Sequence, residues 1–169
     1  GDGKADIAGM TSWGDWWVAA SDGTKFTSSF WGNWNPAGDW TFVISGDFGY
    51  PPDGVVEHIV RADVAAMTSW GDWWVSLASP TGYKTSLFAT WNPNAGWNNI
   101  QVADFNGDGK ADVAGRTSWG DWWVGLSDGS KFTTSFWSYW NPAGNWTDLL
   151  TADFNGDGKA DVAGMTSWG

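Results

Sequence analysis

Cysteine is missing from the 169 residues, histidine occurs once, and Lys and Arg number 8 against 19 Asp and Glu, a net charge of −11. Each shortage excludes something. Without cysteine no disulfide can staple the chain, so a small repeat fold would rely on packing or metal; the compartment is left open by this count. His58 stands alone in an irregular stretch with no repeated counterpart, and reads as a surface residue. With no thiol and no Ser/His/Asp grouping, nucleophilic catalysis has no candidate, and the chain is expected not to be an enzyme. The deficit of cations disfavours nucleic acid and anionic membrane surfaces, both of which call for a basic face. No apolar run is long enough to cross a membrane as a helix. No signal peptide is seen; the sequence opens inside a motif, at Gly1-Asp2-Gly3, and reads as a stretch of a longer protein.

What is abundant is tryptophan, 18 residues of it, and repetition. Thr-Ser-Trp-Gly recurs at Thr11, Thr68, Thr117 and Thr166, in steps of 57, 49 and 49 residues. The extra eight residues of the first step fall near positions 50–60. Each unit holds four short segments rich in Val, Ile, Phe, Trp and Thr, separated by Gly-Asp-Gly, Trp-Gly-Asp, Ser-Asp-Gly and Asn-Pro-Ala-Gly. That is strand chemistry broken by turn chemistry, with no sustained helical period. Four strands in one such unit is the size of a propeller blade. The expected fold is all-β, a β-propeller of four-stranded antiparallel blades with a repeat of about 49 residues.

Call the strands A (146–152 and equivalents), B (111–118), C (122–126) and D (132–140). The chain then runs B-C-D, A-B-C-D, A-B-C-D, A-B, about three and a half blades of a partial propeller over 1–169. The boundaries are 1–39 for an incomplete blade lacking its first strand, 40–95 for a blade with an insertion, 96–144 for a third, and 145–169 for two strands of a fourth. Such a chain does not close by itself. The remaining blades are expected from a longer chain or a second copy. A head-to-tail pair leaves one strand B redundant at each junction, which favours the longer array.

The A–B loops carry the acid. Asp104, Asn106, Asp108 and Asp112 stand at positions 1, 3, 5 and 9 of one loop, with Gly109 at the sharp turn and the Lys110 carbonyl at position 7. Asp153, Asn155, Asp157, Lys159 and Asp161 repeat the set. Hard oxygen donors at this spacing suit calcium. The first loop keeps only Asp2 and Asp6; the second has Asp47 and Asp63 at its ends, Gly49 at position 3, and Pro51, Pro52 and Asp53 between, so calcium is not assigned to either. Asp-x-Asn-x-Asp-Gly-x-x-Asp between strands resembles the FG-GAP/VCBS family of integrin-type β-propellers, over nearly the whole chain. The resemblance implies calcium in the A–B loops of several blades. The ion either only staples the hairpin or also touches a ligand.

Hairpins alternate between the two ends of a blade, so the B–C turn and the D–A link share one rim. That rim gathers Trp119, Asp121, Trp140, Asn141 and Trp146, with counterparts Trp13, Asp15, Trp34, Asn35 and Trp40, then Trp70, Asp72, Trp91, Asn92 and Trp97. A flat ring beside carboxylate and amide groups suits a sugar, whose C–H face stacks while its hydroxyls bond the polar tips; repeated weak sites add avidity. The strand C pairs Trp16-Trp17, Trp73-Trp74 and Trp122-Trp123 read as core. The combination of calcium loops and aromatic rims resembles the fungal propeller lectins of the Psathyrella velutina type, which implies glycan partners such as N-acetylglucosamine or sialylated chains. The expected function is a calcium-stabilised, lectin-like module. A protein-interaction or adhesion propeller, or a purely structural one, accessory to a catalytic domain elsewhere, is the alternative. Calcium loops matched to millimolar calcium point to a secreted, extracellular setting.

Overall fold

The computed structural model describes residues 3–49 and 61–167. Asp2 and the 50–60 insertion, with Pro51, Pro52, Asp53 and His58, lie outside them. Among the described residues thirteen strands form four antiparallel sheets. The first sheet holds β1 (Ile7–Met10), β2 (Asp15–Ser21) and β3 (Phe26–Asn33). The second holds β4 (Thr41–Gly46), β5 (Asp63–Met67), β6 (Asp72–Ser79) and β7 (Gly82–Thr90). The third holds β8 (Asn98–Ala103), β9 (Asp112–Arg116), β10 (Asp121–Ser127) and β11 (Phe132–Tyr139). The last pairs β12 (Thr147–Ala152) with β13 (Asp161–Met165). Within each complete sheet the strands lie in chain order, so the fold is all-β and its sheets are propeller blades.

Among the described residues helix is confined to one 3₁₀ turn in each D–A link: Pro36–Gly38, Pro93–Ala95 and Pro142–Gly144. The Asn-Pro pair dictates it. Proline presets φ at the first helical position, and the preceding asparagine caps the turn: Asn35, Asn92 and Asn141 Oδ1 accept the N–H of Ala37, Asn94 and Ala143.

Apolar clusters fill the space between successive sheets. Trp16, Trp34, Val64 and Ala66 form the first; Trp73, Val75, Phe88, Trp91, Val113 and Phe132 lie in the second; Phe105, Ala114, Trp122 and Val124 form the third. A bulge in each strand D sets one aromatic outside the pairing register. The pairing of β2 with β3 skips Trp31, and those of β6 with β7 and β10 with β11 skip Phe88 and Trp137. Trp31 thereby meets Tyr83, and Phe88 meets Phe132, each at 5.0 Å between ring centres.

The tryptophan pairs of strand C divide. Trp16, Trp73 and Trp122 are buried, as expected of core, and each lies edge-on to the link tryptophan that follows its own blade, Trp34, Trp91 or Trp140. Their neighbours differ from the core reading: Trp17 is exposed, and Trp74 and Trp123 are only half-buried. Adjacent strand residues face opposite ways, so one ring of each pair faces the following blade and the other the preceding one.

Candidate functional site: Trp-lined pockets between blades

The B–C turn is built on glycine. Gly71 and Gly120 hold φ at +98° and +105°, and a Cβ there would fall on the carbonyl oxygen of Trp91 or Trp140. The same glycines accept, through their own carbonyls, the N–H of Trp91 and Trp140, at 2.8 and 2.9 Å. Turn and link are thus bolted together. Trp70 and Trp119 stand out at the tip, about half exposed. Each indole N–H is held by the carboxylate two residues on: Trp70 Nε1 to Asp72 at 2.9 Å and Trp119 Nε1 to Asp121 at 2.8 Å. That bond fixes the ring plane and leaves a face bare. Asp72 also accepts the Thr90 hydroxyl, and Asp15 accepts Asn33 Nδ2.

Two pockets, of about 320 and 270 Å³, repeat the same lining at successive junctions. The first has Trp34, Asn35, Trp40, Thr68, Trp70, Trp74 and Thr85. The second has Trp91, Asn92, Trp97, Thr117, Trp119, Trp123 and Thr134, the counterpart of each in turn, with Asp121 added. Each pocket joins a B–C turn to the link preceding it in the chain, so Trp119 shares its pocket with Trp91 and Asn92, not with Trp140 and Asn141. The sequence grouped Trp119 with the link after it; the spatial neighbour across the junction is the link before it. Trp13, Asp15, Asp72, Trp140 and Asn141 line neither pocket.

The link tryptophans make the wall. Trp34 and Trp91 are 3% exposed. They cross the junction to donate to the next blade, Trp34 Nε1 to Ser76 Oγ at 2.8 Å and Trp91 Nε1 to Thr134 Oγ1 at 2.9 Å. Behind them Trp40 and Trp97 stack at 4.6 and 4.5 Å, their N–H groups tied to the carbonyls of Asn35 and Asn92. Trp74 and Trp123, read from the sequence as core, line the pockets instead, and Asn33, Thr85, Thr90 and Thr134 are polar lining residues that sequence reasoning did not single out. The available signal was the alternation of adjacent residues in a strand, which sets the second Trp of each pair opposite the first.

At the other rim, the acids of the A–B loops are satisfied by their own backbone. Asp104 accepts the N–H of Gly107, Asp108 and Gly109, and Asp153 accepts Gly156, Asp157 and Gly158 in the same pattern. Asn106 and Asn155 accept Asp108 N–H and Asp157 N–H; Asp108 and Asp157 accept Lys110 N–H and Lys159 N–H. The Gly158 N–H foremost holds the Asp153 carboxyl below its ordinary range. Among the described residues no three His, Cys, Asp or Glu side chains are gathered for a metal. The donors present, carboxylate, amide and carbonyl oxygens on an exposed glycine turn, have the chemistry a hard cation takes.

The ninth loop position, Asp112 in the third sheet, has a further task. Asp112 is fully buried and clamps two strands, accepting Phe105 N–H at 2.9 Å and Ser127 N–H at 2.8 Å. Asp63 does the same with Phe48 and Ala78. Burial pushes the Asp63 carboxyl up to about 7 and that of Asp112 up to about 6, against the pull of these N–H donors.

The model of the FG-GAP-like repeat family matches residues 104–164, from the first aspartate of one A–B loop through strand B of the next blade. No curated protein and no solved structure matches the chain significantly. Sheets and family match together define a propeller-type repeat module, and the match points to the interaction modules of that class.

Proposed function

We propose that this propeller segment is a lectin-like module whose sugar sites are the Trp-lined pockets between blades. The observation that carries the reading is repetition: two junctions present the same aromatic wall, the same Asn of the link and the same Thr hydroxyls. A partner protein reads one distinctive surface, whereas a glycan with several termini gains avidity from identical sites. Trp70 and Trp119, held in plane by Asp72 and Asp121, would stack on the sugar's C–H face. Asn35 or Asn92 and the threonine hydroxyls would bond its hydroxyls. The resemblance to propeller lectins favours N-acetylglucosamine or sialylated glycans. Asp104, Asn106, Asp108, the Lys110 carbonyl and Asp112, with Asp153, Asn155, Asp157, the Lys159 carbonyl and Asp161, are the residues that would hold calcium. Bound there, the ion would offset the loop's negative charge, in an extracellular setting where calcium is abundant.

The test is a glycan array probed in calcium with the wild type and with Trp70→Ala and Trp119→Ala. Glycan hits should appear, and each variant should weaken them at least about tenfold, about 1.4 kcal/mol, while melting stays close to wild type. A folded protein that binds no glycan would leave the coarser reading, a protein-interaction propeller.

A further inference from the structure

We propose that the pocket between the second and third sheets selects a hexosamine carrying a free ammonium group, held by Asp121. This rests on the sugar reading above and narrows it to one class of ligand at one junction. Both sheets at this junction have all four strands, and every lining residue belongs to them or to the turn and link that meet there.

The two pockets differ in their carboxylate. The aspartate that opens each strand C stands directly opposite a residue near the end of strand D: Asp15 opposite Asn33, Asp72 opposite Thr90, Asp121 opposite Tyr139. In the first two sheets that residue fills one carboxylate oxygen. Asn33 Nδ2 donates to Asp15 Oδ1 at 2.8 Å, and the Thr90 hydroxyl donates to Asp72 Oδ1 at 2.6 Å. Tyr139 carries its hydroxyl at the far end of a ring, is 57% exposed, and makes no such bond. Asp121 Oδ2 holds Trp119 Nε1 at 2.8 Å, so among the described residues Oδ1 is left without a donor, and no Lys or Arg pairs with it. Asp121 lines its pocket; Asp72, with both oxygens filled, does not line the first.

Around that oxygen lies π surface. The indole N–H groups of Trp91, Trp97 and Trp119 are spent within the protein, on Thr134, the Asn92 carbonyl and Asp121. The rings therefore offer the ligand faces and C–H edges, and the faces attract cations. No lysine or arginine lines the pocket, and the chain carries a net charge of −11. A carboxylate oxygen beside indole faces takes a charged N–H donor. A primary ammonium on a sugar ring meets both demands, its N–H groups on Asp121 and the sugar's C–H face on Trp119. A quaternary ammonium has no N–H for the oxygen, and an N-acetyl group replaces the charge with a neutral amide. The carboxylate of a sialylated glycan would meet Asp121 as a like charge, so this pocket disfavours that class. The first pocket, lacking a free carboxylate, takes neutral sugars without this discrimination.

The test compares two short oligomers of glucosamine, one with free amines and one fully N-acetylated. Each is titrated calorimetrically into the chain at about pH 6 in about 150 mM salt. The free-amine oligomer should bind about tenfold more tightly. Asp121→Asn keeps an acceptor for Trp119 Nε1 and should erase that preference, with the melting curve close to wild type. Tyr139→Thr supplies the hydroxyl that Thr90 gives to Asp72, and should erase the preference without changing any charge. Asp148→Asn removes the same charge at an exposed position outside both pockets, and should leave the preference in place. An N-acetylated oligomer bound equally or better would overturn the inference while leaving the sugar reading standing. So would a preference that survives Asp121→Asn or Tyr139→Thr, or equal losses in Asp148→Asn and Asp121→Asn, the mark of net charge alone. A lysine-rich peptide that binds as tightly as the free-amine oligomer, and is lost with Asp121→Asn, would move the ammonium to a protein partner and overturn the hexosamine. Absence of binding to every glycan of the array would remove the sugar reading itself, and this inference with it.

Discussion

The indole of Trp91 donates to the hydroxyl of Thr134 at 2.9 Å, from the link of one blade to strand D of the next. The bond and the buried ring make Trp91 a wedge between sheets, where Trp119, at the mouth of the same pocket, is a surface ring. Trp91→Ala should therefore cost about 3–5 kcal/mol of unfolding free energy. Thr134→Val, which leaves the buried indole N–H unpaired, should cost about 1–3 kcal/mol. Trp119→Ala should stay within about 1 kcal/mol of wild type. Urea titration of the three variants checks the order; equal losses at Trp91 and Trp119 would contradict the division of wall from contact surface.

Asp112 ties Phe105, at the start of the A–B loop, to Ser127, at the end of strand C, with no solvent near it. Asp112→Ala would leave two buried amides without an acceptor, at about 1–3 kcal/mol each. Among the described residues Asp161 holds only Phe154 N–H, at 3.1 Å on a half-open strand, so Asp161→Ala should cost clearly less when calcium is chelated. Melting both variants in chelator separates the clamp from any metal contribution. Equal losses would mean that the buried clamp adds nothing.

Burial raises Asp63 to about 7 and Asp112 to about 6 from an ordinary 3.8. The folded protein then binds these protons more tightly than the unfolded chain. The stability they contribute is present in full below pH 3.8 and is lost as the pH rises through about 6 and 7. In chelator, the unfolding free energy should fall between pH 5 and pH 8 by an amount on the order of a few kcal/mol. The exposed carboxyls held low, Asp22, Asp108, Asp128 and Asp153, act in the opposite sense below that window, and solvent screening keeps their share small. Urea midpoints across this range provide the measurement; a flat profile would show that the N–H donors fully compensate burial.

The blade was legible because its information is local. Thr-Ser-Trp-Gly demands a left-handed glycine, Asn-Pro a capped turn, and the Val and Trp runs between them a strand. The pocket was half legible for the opposite reason. Which turn meets which link depends on how one sheet sits against the next, and no periodicity within a blade states that. Trp119 was therefore grouped with Trp140 when its pocket partner is Trp91. The bulges that skip Trp31, Phe88 and Trp137 were invisible too, since one extra residue in a strand leaves its composition unchanged. Asp112 reads in sequence as one more loop acid; only burial reveals it as a clamp.

Calcium gives the last prediction. The loops at 104–112 and 153–161 turn their acids onto backbone amides in the same pattern, and their carboxylate, amide and carbonyl oxygens are the donors a bound calcium would take. An ion that binds only the folded state stabilises by mass action, about 2.7 kcal/mol at a hundred times its dissociation constant. For a chain of this length that is a rise of roughly 5–11 °C in melting temperature. Asp153→Asn keeps an amide oxygen in the loop while removing a charge, and should lower the calcium-dependent rise while leaving the melting temperature in chelator within a few degrees. A melting temperature indifferent to calcium and chelator in the wild type would remove the metal from this protein and leave its loops as self-satisfied turns.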